Sequence, residues 1–168
     1  MEDIAAKCGV SKSMLYHYFD RKEDVLYEIL QTHLKTLIEA LQDFTFDASN
    51  GSRLDSFYEF VEIYLEQSNI SRAKHVVALH DMRYLTETQQ KEQKRLERKL
   101  IDVVVGILEK ITPGLSVKDY RLFTLLLIGM MNWAELWYRR SGPLSPPEFY
   151  AKLSNLFLNG FSNIGAEN

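Results

Sequence analysis

Cysteine is almost absent from this chain. Cys8 is the single one in 168 residues, which excludes an intrachain disulfide and any cysteine-cluster zinc site. Excess positive charge is absent too: the formal net charge is −3, which argues against a generally basic coat for nucleic acid. The most apolar run, Leu122 to Met131, spans ten residues, well short of the ~20 needed to cross a bilayer. No membrane partner is expected. The four histidines, His17, His33, His75 and His80, show no metal-ligand spacing such as His-Glu-x-x-His, and there is no glycine-rich phosphate loop. Asp81 beside His80 makes no dyad, because neighbours on a helix point apart. No enzyme activity, catalytic residue, metal or cofactor is expected. Strand-like alternation longer than a few residues is missing, as is any internal repeat.

What is present is helical periodicity in a chain with 46% apolar content, enough for a real core and too short for two large domains. Leu26, Leu30, Leu34, Leu37, Ile38 and Leu41 line one face of a long helix from Arg21 to about Phe44, opened by a capping box read at Asp20-Arg21-Lys22-Glu23. Phe44 to Arg53 is a turn-rich break. Leu54, Phe57, Tyr58, Val61, Tyr64 and Leu65 mark the next helix, with a break at Ser68 to Ser71 and a shorter helix to about Asp81. Met82 to Glu87 reads as a connection. Leu96, Leu100, Val103, Val104, Ile107, Leu108 and Ile111 follow helical spacing without a miss, up to Thr112-Pro113-Gly114. Ser116 caps a helix to about Arg139, and Ser145-Pro146-Pro147-Glu148 opens the last one. The fold class expected is all-α. A head at 1–46, with its connecting long helix, precedes a helical body at 47–168.

The head carries the most informative stretch. Ile4, Ala5 and Cys8 share a helical stripe, which makes Cys8 a small buried hydrophobe in this reading. Gly9 stands where the helix must stop and the chain reverse, because glycine accepts positive φ without steric cost. Ser11 is a good N-cap for a second helix. That helix turns Leu15 and Phe19 inward and leaves Lys12, Ser13, Tyr16 and His17 as a polar face. This is a helix-turn-helix arrangement, whose second helix enters the DNA major groove. An αα-hairpin that merely packs has the same shape. Residues 1–46 hold five basic and eight acidic side chains, which counts against DNA, although charge acts through the face that carries it.

The string Ile4-Ala5-Ala6, Gly9-Val10-Ser11, Leu15-Tyr16-His17-Tyr18-Phe19 and Lys22-Glu23-Asp24-Val25-Leu26 resembles the DNA-binding signature of the tetracycline-repressor (TetR) family of bacterial regulators. The match covers about the first 30 residues. The resemblance implies double-stranded operator DNA as partner, with Ser11, Lys12, Ser13, Met14, Tyr16, His17 and Lys22 as the DNA-binding set. Tyr16, His17 and Lys22 are expected on phosphates, and Lys12, Ser13 and Met14 on base edges. The family begins with one more helix ahead of the one at Met1, so the true start is expected upstream or the chain is shortened. It also often carries a small residue at position 13 and Thr or Ser at 14. Ser13 and Met14 stand there, so the operator sequence does not carry over. Met1 leads straight into a charged helix, so no signal peptide and a cytoplasmic location are expected.

The helix at 118–139 is apolar on nearly every side, which demands burial on two sides. The resemblance implies a homodimer through helices 118–139 and 146–163, with Phe149, Leu153, Leu156, Phe157, Gly160 and Ile164 as its stripe. Candidate ligand-pocket residues are aromatic, soft or polar within grease: Phe57, Phe60, Tyr64, His80, Met82, Met130, Met131, Asn132 and Trp133. Asn132-Trp133, Trp137-Tyr138-Arg139, Gly142 and Leu144-Ser145-Pro146 look similar to a pattern in family members that sense acyl-CoA thioesters. The implied effector is a hydrophobic small molecule, with an acyl- or aryl-CoA as first candidate and Arg95, Arg98, Lys99, Arg139 and Arg140 for its phosphates. The function expected is a ligand-responsive transcriptional regulator, a repressor by preference. The alternative is a helical dimerisation or ligand-binding module without DNA-binding activity.

Overall fold

The structure, a computed structural model, describes residues 1–44, 52–70 and 82–164. Seven α-helices and no strand are found among them: α1 (Glu2–Cys8), α2 (Lys12–Tyr18), α3 (Lys22–Gln42), α4 (Arg53–Ile70), α5 (Glu87–Ile111), α6 (Val117–Trp137) and α7 (Pro146–Ile164). A short 3₁₀ turn at Met82–Tyr84 leads into α5. Among the described residues no helix is long and apolar enough to cross a membrane. The helix expected at 71–81, with His75 and His80, lies outside the described residues.

Local chemistry sets the helix ends. Gly9 sits in the left-handed region at φ 66°. Its N–H donates to the Ala6 carbonyl while that of Val10 donates to Ala5, closing two of the orphan carbonyls at the end of α1. Ser11 Oγ then accepts from the Met14 N–H at 3.1 Å. The long helix α3 starts one residue later than the sequence suggested: Arg21, not Asp20, is the N-cap, and the Asp24 carboxylate accepts from its N–H at 3.1 Å. Asp24 reaches back three residues, so it fixes the cap at Arg21. The helix α4 runs on to Ile70 through the break expected at Ser68. Ser68 is fully buried, and packing overrides its weak helix preference. Thr86, Ser116 and Ser145 open α5, α6 and α7, with Gln89, Asp119 and Glu148 answering three residues on.

The core lies among α3 to α7. Phe57, Phe60, Val61 and Tyr64 of α4 are shut off from solvent. Phe57 stacks on Phe157 of α7 with ring centres 5.5 Å apart and planes 5° from parallel. The stripe Leu100, Val104, Ile107, Leu108 and Ile111 of α5 is buried, with Leu96 and Val103 packed beside it. The turn from α5 to α6 is pinned by Tyr120, whose hydroxyl donates to the Thr112 carbonyl at 2.7 Å and accepts from the Leu115 N–H.

Cys8 departs from its expected place: it is exposed. The two short helices bury only Ala5 of α1 and Leu15 of α2. Position 8, in the last turn of a seven-residue helix, faces away from that small contact.

Candidate functional site

The head presents one open face. Ser11, Lys12, Ser13, Met14, Tyr16 and His17 are all exposed, as is Lys22 at the start of α3. Tyr18, absent from the expected DNA-binding set, is the most exposed aromatic of α2 at 68%. Its i, i+4 spacing from Met14 places it on the same side and was the signal available. Lys12 Nζ lies 3.5 Å from a Glu2 carboxylate oxygen and Lys22 Nζ 4.0 Å from Glu23. Both are solvent pairs of little strength.

The head is tied to the body by a ladder of polar contacts between α3 and α5. Gln89 donates to Asp24 at 3.0 Å, Tyr27 donates to Glu92, and Gln31 donates to Gln93 at 3.2 Å. Both series rise together along the chain, so the two helices run in the same direction. The last rung is buried on both sides, Gln31 at 6% and Gln93 at 1% exposure. Burial and the Glu92 carboxylate push the Tyr27 hydroxyl up to about 12, so it remains a donor across the physiological range. The Asp24 carboxyl is held below its usual range, chiefly by its hydrogen bond from the Arg21 side chain.

Directly beyond the last rung lies a cavity of about 350 Å³. Leu34, Leu37, Leu100, Ile101, Leu125 and Ile128 make its apolar walls, and His33, Tyr64, Gln93, Glu97 and Asn132 its polar points. Tyr64 Oη donates to Asn132 Oδ1 at 2.9 Å. Burial pushes the Glu97 carboxyl up, against the opposing charge of Lys94. Gln93 is thus both a wall of the cavity and the partner of the head's long helix.

The predicted pocket residues separate into three groups. Tyr64, Met82 and Asn132 do line this cavity. Phe57, Phe60 and Met131 are fully buried core; their ring and thioether contacts fill the space between α4, α6 and α7 rather than border an opening. Met130 and Trp133 lie on the other side of α6, on an apolar groove of about 400 Å³ against α7. His80 lies outside the described residues. His33, Gln93 and Glu97 were missed because each looks like an ordinary polar member of an amphipathic helix, and no periodicity says which polar position turns inward. Arg95, Arg98, Lys99, Arg139 and Arg140 are exposed and line no part of the cavity. Arg140 is engaged elsewhere, chelating Glu66 with contacts of 2.9 and 2.6 Å.

The groove between α6 and α7 belongs to a wider apolar face. Leu122, Leu125, Leu126, Trp133, Leu136 and Trp137 of α6, with Leu156 of α7, are 38–69% exposed. Of the predicted dimer stripe, Leu156 and Gly160 are exposed. Phe149, Leu153 and Phe157 are core, at 6–8% exposure, and Phe149 and Leu153 also line the groove. They pack against α4 and the aromatic cluster, where Phe149 stacks on Tyr138 with ring centres 4.3 Å apart. The side chain of Ile164 is outside the description. The open face therefore belongs mainly to α6. Among the described residues no group of three or more His, Cys, Asp or Glu is placed to hold a metal ion.

Comparison with known proteins agrees with this layout. Residues 1–29 match the family model described as bacterial regulatory proteins, tetR family, and residues 50–161 the model of a tetracyclin repressor-like C-terminal domain. The HTH-type transcriptional activator FasR of Mycolicibacterium smegmatis is 25% identical over 86% of this chain; the match spans 65% of that protein, just under two thirds of its length. The HTH-type transcriptional repressor KstR2 of Rhodococcus jostii is 25% identical over 97% of this chain and 81% of its own. A crystal structure of a TetR-family transcriptional regulator from Bordetella parapertussis superposes with a TM-score of 0.81 and 36% identity, covering 96% of this chain and 84% of that one. The regulator PfmR of Thermus thermophilus shares the fold, at a TM-score of 0.78 and 24% identity, over 94% of this chain and 86% of its own. The chain belongs to the TetR family of bacterial transcription regulators, a family of regulators and not of enzymes.

Proposed function

We propose that this regulator represses transcription by holding a pseudo-palindromic operator as a homodimer, and that a hydrophobic small molecule in the α3–α5–α6 cavity releases it. One observation carries the reading: Gln93 borders the cavity and bonds Gln31 of the helix that bears the head. A molecule that moves Gln93 moves α3. Two heads would place α2 in successive major grooves, with half-sites about 34–36 Å apart or a multiple of that. The effector's influence is a coupling free energy, typically about 1–3 kcal/mol.

The exposed face of α6 supports the dimer. A monomeric protein rarely leaves so much contiguous apolar surface in water, and an obligate interface buries more than ~2,000 Å². The cavity supports a hydrophobic effector more than a CoA thioester. Its lining offers no lysine or arginine for phosphates among the described residues, and recognition of phosphate calls for such groups.

The test is fluorescence anisotropy on the DNA flanking the gene. Saturable, salt-dependent binding at two half-sites, reversed by a cavity ligand, is the expected result. A second reading, a helical module without DNA-binding activity, is favoured by the acidic balance of residues 1–46 and the small head contact. Absence of binding at low salt to any fragment of the flanking DNA would favour it.

A further inference from the structure

We propose that the effector is a lipophilic amine, whose ammonium group pairs with Glu97 while its hydrocarbon body fills the apolar walls of the cavity. The inference rests on reading this cavity as the effector site.

Glu97 is half-buried on the cavity lining. Among the described residues it takes no hydrogen bond and lies in no ion pair. Lys94, one turn earlier on α5, acts on it only through space. A carboxylate removed from water without a partner is costly, and burial shows its effect on this group. Among the described residues the lining otherwise offers the His33 imidazole, two carboxamides and the Tyr64 hydroxyl, and neither lysine nor arginine. An anionic head group entering here meets a like charge and, among the described residues of the lining, no fixed cation. A cation meets a carboxylate that lacks a partner among the described residues. Asn132 adds a second point of recognition. Its Oδ1 is taken by Tyr64, which leaves its N–H₂ to donate to a carbonyl or ether oxygen of the same molecule. Six aliphatic side chains around these points call for a body without further charge.

The experiment uses a matched set of probes, 4-phenylbutylamine, 4-phenylbutanol and 4-phenylbutyrate, titrated calorimetrically into the chain at about pH 8, where the amine and the acid are both ionised. The amine is expected to bind at least about ten-fold more tightly than the acid, a difference of about 1.4 kcal/mol. Glu97→Gln should bring amine and alcohol to within about two-fold of each other, and a wild-type circular dichroism spectrum and melting temperature in that variant report an intact fold. Ile128→Trp, which fills the site, should abolish binding of both. Alcohol binding without amine preference, or a preference that survives Glu97→Gln, overturns the amine assignment and leaves the cavity as the effector site. Failure of all three probes to bind, or binding untouched by Ile128→Trp, overturns the effector-site reading and the amine with it.

Discussion

Gln31 of α3 donates a hydrogen bond to Gln93 of α5 across 3.2 Å, inside the protein and against the wall of a cavity. This bond links a wall of the cavity directly to the helix that bears the reading head. Replacing Gln31 by Leu leaves the Gln93 carboxamide short of its partner in a dry place. The expected loss is about 1–3 kcal/mol in urea unfolding. Gln93→Leu in the same chain should recover part of it, because two apolar groups can pack where one orphaned amide cannot. The double-mutant cycle checks this. Strict additivity would mean the bond is not formed in solution.

Lys22→Ala should weaken operator binding on all sequences alike and lower the salt slope by about one unit, as expected for the loss of one phosphate contact. Glu2→Gln should act in the opposite sense. The Glu2 carboxylate lies 3.5 Å from Lys12 and competes with phosphate for it. A salt series of anisotropy titrations reads both, and unchanged slopes would remove these lysines from the DNA face.

The two sides of α7 should answer differently to charge. Leu156 is 69% exposed, so Leu156→Glu should dissociate the dimer and leave a folded species of 19.6 kDa. Phe157, stacked on Phe57, is part of the core. Phe157→Glu should unfold the chain, since an unpaired buried carboxylate is not tolerated. Sedimentation velocity with circular dichroism separates the cases. A wild-type chain that sediments as a stable monomer at micromolar concentration would refute the dimer.

Stability should fall in acid partly through Glu66. Burial pulls its carboxyl up, but hydrogen bonds from Arg140 and Tyr150 and the Arg140 charge outweigh this and hold it below the usual range. A depressed native value means that the contribution is present above the ordinary glutamate range, near pH 4.3, and is lost as pH drops through the lower native value. Glu66→Gln should flatten the pH dependence of unfolding in that window. A slope identical to wild type would show that other carboxylates govern it.

The sequence made some parts legible and hid others for definite reasons. The stripe of α5 from Leu96 to Ile111 could be read directly, because period and burial coincide there. So could the turn at Gly9 and the cap at Ser11, where one residue type answers one backbone need. Residues with two equally apolar surroundings were not separable. Phe157 and Leu156 are adjacent and both greasy, yet one fills the core and the other faces water. Only the direction of α4 decides between them. Glu97 was invisible for the converse reason. It is a glutamate among lysines and arginines on a charged stretch, and nothing local marks it as the one turned towards a cavity.

The ladder between α3 and α5 joins positions 65, 65 and 62 residues apart in the chain. Neither helix can therefore drift alone. A descendant that exchanges Asp24 for a lysine keeps its head in place only if Gln89 changes with it, and likewise for Tyr27 with Glu92 and Gln31 with Gln93. The history of these six positions should read as three paired substitutions, inherited together, while the reading face of α2 is left to diversify with its operators.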